Sequence, residues 1–136
     1  MLKKTMTYVD YDDVERTETF YFNLTQAEIL EMEYGIEGGM EKMLHRVTEK
    51  LDGKRIMSFV KEIILKSYGE KSPDGKRFMK VNDAGVPLHV AFEQTQAYSN
   101  LYVELVTDAK ACAAFVNAVI PKVEKAAEAE TSAVAS

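Results

Sequence analysis

Thr17-Glu18-Thr19-Phe20-Tyr21-Phe22-Asn23-Leu24-Thr25-Gln26-Ala27-Glu28 joins two kinds of periodicity within twelve residues. Up to Phe22 the run is rich in Thr, Phe and Tyr, side chains that fit a pleated surface. Period two sets Phe20 and Phe22 on one face and Thr19 and Tyr21 on the other. At Thr25 the pattern changes. Thr25 with Glu28 three residues later is a capping box, and Leu24 with Ile29 are placed as a hydrophobic staple, so a strand hands over directly to a helix. Upstream, Thr5-Met6-Thr7-Tyr8-Val9 is a second strand-like run. Asp10-Tyr11-Asp12-Asp13-Val14 between the two reads as a turn, because Asp accepts the left-handed region and bonds its own backbone. The economical reading is a hairpin over about residues 4–22. A lone hairpin is marginal in water, so one of its faces must pack on helices or meet another sheet.

Downstream the apolar spacing turns helical. A short helix carries Ile29, Leu30 and Met32 and meets Gly35, Gly38 and Gly39. Met40, Met43, Leu44, Val47 and Leu51 form one stripe opposite Glu41, Lys42, Arg46 and Glu49, and Asp52-Gly53 ends it. Ile56, Phe59, Val60, Ile63, Ile64 and Tyr68 form a wider stripe, which predicts the most buried helix of the chain, with Gly69 as its C-cap. Ser72-Pro73-Asp74-Gly75-Lys76 is a turn, and Phe78-Met79-Lys80-Val81 returns as a short extended segment. From Leu88 to Val106 the pattern predicts a short helix, a kink near Thr95 and a longer helix. Thr107-Asp108 starts a last one with Ala111, Cys112, Phe115, Val116 and Val119 inward. The fold class expected is mainly α with an N-terminal β-hairpin (α+β). About five helices form a single domain over residues 1–121, and only Val123 could anchor the flexible C-terminal tail, residues 122–136.

The chain has 136 residues, is 46% hydrophobic and carries a net charge of -5. That suffices for one core without a disulfide or metal. The single cysteine, Cys112, excludes an internal disulfide and reads as a buried small hydrophobe, which suits a reducing compartment. No signal-peptide pattern and no run of about 20 apolar residues is present, so the protein is expected to stay where it is made, away from any membrane. The acidic balance argues against a sequence-independent grip on nucleic acid.

Signals for chemistry are weak. His45 can be drawn with Glu41 or Glu49 as a helical ligand pair, but no second ligand cluster accompanies it, and His89 is isolated. The carboxylate pairs Asp12/Asp13 and Glu31/Glu33 fall in a turn and on a polar helix face, without the burial that tunes acidity. Gly69 to Lys76 departs from a phosphate loop because Gly75-Lys76 is followed by Arg77 and not by Ser or Thr. The expectation is a non-enzyme with no cofactor and no metal. Two features suit protein binding. Lys66, Lys71, Lys76, Arg77 and Lys80 gather positive charge around the 72–76 turn, with Phe78 interleaved. The plainer reading of these is an exposed hairpin kept soluble by lysines. Met40 and Met43 share a helix stripe; as core fillers they are ordinary, and as a surface they would adapt to varied apolar segments. The candidate partner-binding residues are therefore Met40, Met43, Lys71, Lys76, Arg77 and Phe78.

Three segments together resemble the tail assembly chaperone family of long-tailed bacteriophages: Thr19 to Glu28 with the hairpin before it, Phe59 to Phe78, and Phe92 to Tyr98 running on to Phe115-Val116-Asn117-Ala118-Val119-Ile120-Pro121. The resemblance covers about residues 4–121. It implies a protein absent from the finished virion that binds the hydrophobic tape measure protein and helps recruit the major tail protein, the tail tube subunit. It also implies that the end after Pro121 could be the upstream product of a frameshifted pair. Asp12-Asp13 stands where Asn-Gly-like turn residues are expected, which implies a looser hairpin. Self-association is a further expectation from an unpaired hairpin. The competing reading is a structural virion protein (tail tube, head completion or decoration) whose hairpin pairs edge to edge with its neighbours.

Overall fold

The computed structural model describes residues 1–35 and 53–120. The helix expected over Met40 to Leu51 and the tail from residue 122 lie outside the described residues.

Strand β1 (Leu2–Val9) pairs antiparallel with β2 (Glu15–Phe22), from Leu2 opposite Phe22 to Val9 opposite Glu15. The connection is not loose. The Asp10 N–H donates to the Val14 carbonyl at 2.9 Å, the Asp13 N–H donates to the Asp10 carbonyl at 3.1 Å, and Asp13 takes φ 61°. This is a three-residue hairpin loop whose last residue is left-handed. Asp10 replaces the missing Asn-Gly chemistry: its carboxylate accepts from the N–H groups of Asp12 and Val14 and pairs with Arg16. The Arg16 guanidinium first, then the Val14 N–H, hold that carboxyl below its ordinary range.

The hairpin continues into a four-stranded antiparallel sheet of order β1-β2-β3-β4, with β3 at Tyr68–Lys71 and β4 at Phe78–Met79. Tyr21 faces Gly69 and Phe22 faces Tyr68; Glu70 faces Met79 and Lys71 faces Phe78. Two expectations change here. Tyr68 does not extend the helical stripe, and Gly69 is not a left-handed C-cap; both are strand residues. The preceding helix stops at Ser67, whose hydroxyl donates back to the Ile63 and Ile64 carbonyls. Gly69 is needed for close approach, since a Cβ there would lie 2.5 Å from Phe78 Cε2 and 2.6 Å from the Met79 carbonyl oxygen.

Helix α1 (Gln26–Gly35) opens on the expected box: the Thr25 N–H donates to Glu28 Oε1 at 2.9 Å and the Glu28 N–H donates to Thr25 Oγ1 at 3.1 Å. Leu24 is fully buried and Ile29 packs against the same core. The handover from strand to helix is pinned at both residues between them. The Asn23 N–H donates to the Ser67 carbonyl at the end of α2 (Gly53–Ser67), and the Leu24 N–H to the Val119 carbonyl at the end of α5 (Ala109–Val119). Helix α2 buries Ile56, Phe59, Val60, Ile63 and Ile64, more large apolar side chains than any other described helix. Between α2 and α5 come α3 (His89–Glu93) and α4 (Gln96–Thr107). The interruption at Thr95 is a full break, not a kink: Thr95 is extended and its Oγ1 accepts the Tyr98 N–H as an N-cap. Asp108 caps α5 likewise, accepting from the Lys110 and Ala111 N–H groups.

Helices α2, α4 and α5 cover the inner sheet face. Phe92 is the hub. It stacks on Tyr68 at 4.1 Å and meets Phe20, Phe22 and Tyr98 at 5.3–5.8 Å. Phe115 of α5 reaches the other side of Phe22 at 5.2 Å. The protein is thus α+β, with a strand pair at its N-terminus and five helices among the described residues. Helix makes up about half of those residues, less than a mainly α class implies, because the sheet has four strands instead of two.

Candidate functional site

The basic turn is closed by its own hydrogen bonds. The Ser72 N–H donates to the Arg77 carbonyl at 2.8 Å, the Arg77 N–H donates to Ser72 Oγ at 3.0 Å, and the Gly75 N–H donates to the Ser72 carbonyl at 2.9 Å. Gly75 takes φ 74°. The Ser72 hydroxyl bonds the Asp74 carboxylate at 2.6 Å, and Asp74 also accepts the Lys76 N–H. The hydroxyl first, then that N–H, hold the Asp74 carboxyl below its ordinary range. Such a frame presents Lys71, Lys76 and Arg77 to solvent at one end of the sheet.

The other two cations of the expected cluster are committed elsewhere. Lys66 pairs with Glu62 one helical turn away at 3.3 Å. Lys80 turns inward. Its ammonium donates to the Asn23 carbonyl at 2.9 Å, to Glu28 Oε2 at 3.1 Å and to the Lys66 carbonyl. One side chain therefore ties the strand-to-helix handover, the first turn of α1 and the end of α2. Burial lowers its pKa, and the Glu28 carboxylate partly restores it. Phe78 is half-buried. Its ring fills the space beside Gly69 and carries the Lys80 ammonium 5.4 Å from its centroid, so it is a packing residue and not an open stacking platform.

Met40 and Met43 lie outside the described residues, as does His45. Of the other methionines, Met32 is buried in the core and Met57 on α2 is half exposed. The His89 Nδ1 is buried without a hydrogen-bond partner among the described residues. Cys112 is fully buried, and burial pushes its thiol from an ordinary 9.0 up to about 11. A half-open depression of about 380 Å³ lies where β3 leaves β2, lined by Glu18 to Tyr21 and Tyr68 to Lys71. Glu18 on its rim accepts the Tyr8 hydroxyl. Burial first, and then Glu70 and Glu18, raise the Tyr68 hydroxyl's pKa.

The sequence reading missed two features. The inward role of Lys80 has no local signal, because its three acceptors come from three separate elements. The loop Asn82 to Val86 did have one. It repeats the Asp10 loop bond for bond: Asn82 N–H to Val86 carbonyl, Gly85 N–H to Asn82 carbonyl, and the Asn82 side chain accepting from Ala84 and Val86, with Gly85 at φ 79°. Among the described residues no three His, Cys, Asp or Glu side chains gather as a metal-ligating group, and no helix is long and apolar enough to cross a membrane.

The described residues thus combine an exposed basic hairpin, half-exposed apolar side chains on α1 and α2, and a core built around aromatic rings. The chain belongs to the phage tail assembly chaperone family, whose pattern it matches over residues 1–135. That match extends the resemblance read over residues 4–121 at both ends. No curated protein and no solved structure matches the chain.

Proposed function

We propose that this chaperone acts in the bacterial host cytoplasm by binding the hydrophobic tape measure protein and helping to recruit tail tube subunits, without enzymatic chemistry or a cofactor. Family membership over nearly the whole chain is the observation that carries the reading. Two surface features support it. Leu30 on α1 and Met57 on α2 are each about half exposed, and they sit on the helices that flank the Met40 and Met43 segment. Such unbranched and branched aliphatic side chains suit varied apolar segments of a long partner. The Lys71, Lys76 and Arg77 hairpin supplies a basic contact to acidic partner segments from a net acidic protein. Both features belong to a protein-binding surface. A tagged chain immobilised and offered purified tape measure fragments should retain them. Lys71→Glu/Lys76→Glu/Arg77→Glu, which alters only exposed side chains, should weaken retention; unchanged retention removes the hairpin from the interface. The competing reading, a structural virion component, is separated by quantitative mass spectrometry of purified virions, where a chaperone is expected to be absent.

A further inference from the structure

The sheet has one long open side. Strand β1 is its outermost strand, and among the described residues only β2 pairs with it. The Asp10–Val14 backbone bond sets the alternation along the hairpin, so the N–H and C=O groups of Lys3, Thr5, Thr7 and Val9 point away from β2. The side chains of these four residues are exposed on the outer face. Thr5 bonds Thr19 and Thr7 bonds Thr17, each at 2.9 Å, on this polar face.

Proteins usually blunt such an edge with proline, a bulge, lysines on the edge or an inward-pointing charge. β1 carries Lys3 at its start but neither proline nor a bulge, and its eight residues pair with β2 in unbroken register. The one inward charge, Lys4, is matched by Glu104 of α4 at 3.5 Å.

The edge also carries a charge gradient. Its start is basic, with Lys3 and Lys4, and the hairpin tip beyond its end is acidic, with Asp10, Asp12 and Asp13. Asp12 and Asp13 are exposed. A strand that is basic at one end and acidic at the other is complementary to an antiparallel copy of itself. We infer that two copies of this chain pair through β1 about a two-fold axis at Met6, forming one continuous eight-stranded sheet.

Side-chain alternation permits only registers whose paired numbers share parity, and the register centred on Met6 pairs Lys3 through Val9 of each copy. Thr5 then faces the partner's Thr7, Lys3 faces its Val9, and no like charges meet across the new pair. The basic start of each copy lies along the acidic tip of the other. An unrelated extended peptide would satisfy the backbone groups but has no reason to match this gradient. The inference is independent of the tape measure reading, and its test does not involve that partner.

The full chain should sediment as a dimer in analytical ultracentrifugation at micromolar concentration. Thr7→Pro removes a backbone N–H that points away from β2, together with the exposed Thr7–Thr17 side-chain bond, and it should give a monomer with an unchanged circular dichroism spectrum. Lys3→Glu should raise the dimer dissociation constant by about tenfold, because the two-fold repeats the altered contact twice. Adding Asp12→Lys and Asp13→Lys to Lys3→Glu should restore the affinity. These last variants alter only exposed side chains, so the test survives if the proline variant fails to fold. A wild-type chain that stays monomeric, or a dimer indifferent to both the proline and the charge exchange, overturns the inference.

Discussion

Replacing Gly69 separates two explanations of why the chain has a glycine there. In strand β3 an alanine Cβ would sit 2.6 Å from the Met79 carbonyl oxygen and 2.5 and 3.0 Å from two carbons of the Phe78 ring. The ring can rotate away, at the loss of its packing and of the Lys80 contact. The carbonyl cannot, because it belongs to the backbone of β4, which is only two residues long and pairs with β3 at Glu70 and Lys71. Relief therefore requires the β3–β4 pair to part. Overpacking of this kind costs typically about 1–3 kcal/mol, and we place Gly69→Ala at the upper end because a backbone atom is struck. Against this, alanine restricts the unfolded chain and returns about 0.4–1 kcal/mol. The net loss expected is about 2 kcal/mol. Urea denaturation followed by far-ultraviolet circular dichroism measures it, with an unchanged dependence on denaturant.

Gly69→Asn sharpens the test. A left-handed C-cap accepts asparagine better than alanine, whereas a crowded strand position rejects the larger residue more strongly. Asparagine is therefore expected to be worse than alanine. Adding Phe78→Ala to Gly69→Ala should recover only part of the loss, since it frees the ring contacts and leaves the carbonyl clash. A Gly69→Ala protein within about 0.5 kcal/mol of wild type, half the lower bound of overpacking, or an asparagine variant more stable than the alanine one, would refute the packing argument.

Asp13→Gly should stabilise the protein by about 0.5–1 kcal/mol in thermal or urea unfolding, because Asp13 occupies at φ 61° the position that Gly85 fills in the matching loop. Lys80→Met keeps the apolar stem and removes the ammonium that serves the Asn23, Glu28 and Lys66 oxygens. It should cost about 2–3 kcal/mol, while Lys76→Met on the exposed turn should stay within about 0.5 kcal/mol; equal effects would contradict the inward role. Native Cys112 should resist thiol reagents at pH 8 and react on unfolding. Its folded pKa is raised from 9.0 to about 11, so the stability it contributes is complete below pH 9 and declines as pH rises from 9 through 11. Equally fast labelling of the folded and unfolded forms would count against its burial.

What could be read from the sequence was mostly local. Thr25 with Glu28, Asp108 before Lys110 and Ala111, and Gly75 after Pro73-Asp74 each carry their partners within a few residues, and each appears where expected. The alternation that sets Phe20 and Phe22 apart from Thr19 and Tyr21 holds for the same reason. Failures came where a distant element decides. Tyr68 and Gly69 continue an apolar helical stripe and then a familiar capping residue, but β2 captures both by pairing Phe22 with Tyr68 and Tyr21 with Gly69. Lys80 looked like one more surface cation because its three acceptors lie in three elements remote in sequence. Phe78 looked like an exposed aromatic because the missing Cβ of Gly69, which makes room for its ring, matters only once β3 and β4 pair. The basic site was thus partly legible: Lys71, Lys76 and Arg77 share an exposed hairpin, whereas Lys66, Lys80 and Phe78 serve the fold.

The proposal that this family member works by covering a hydrophobic assembly partner is tested most directly by one quantity, the soluble yield of the tape measure protein expressed with and without this chain. A several-fold rise in soluble tape measure protein, with the two recovered as a complex, is the expected result. A tape measure protein that remains equally insoluble in the presence of abundant, folded chaperone would contradict it.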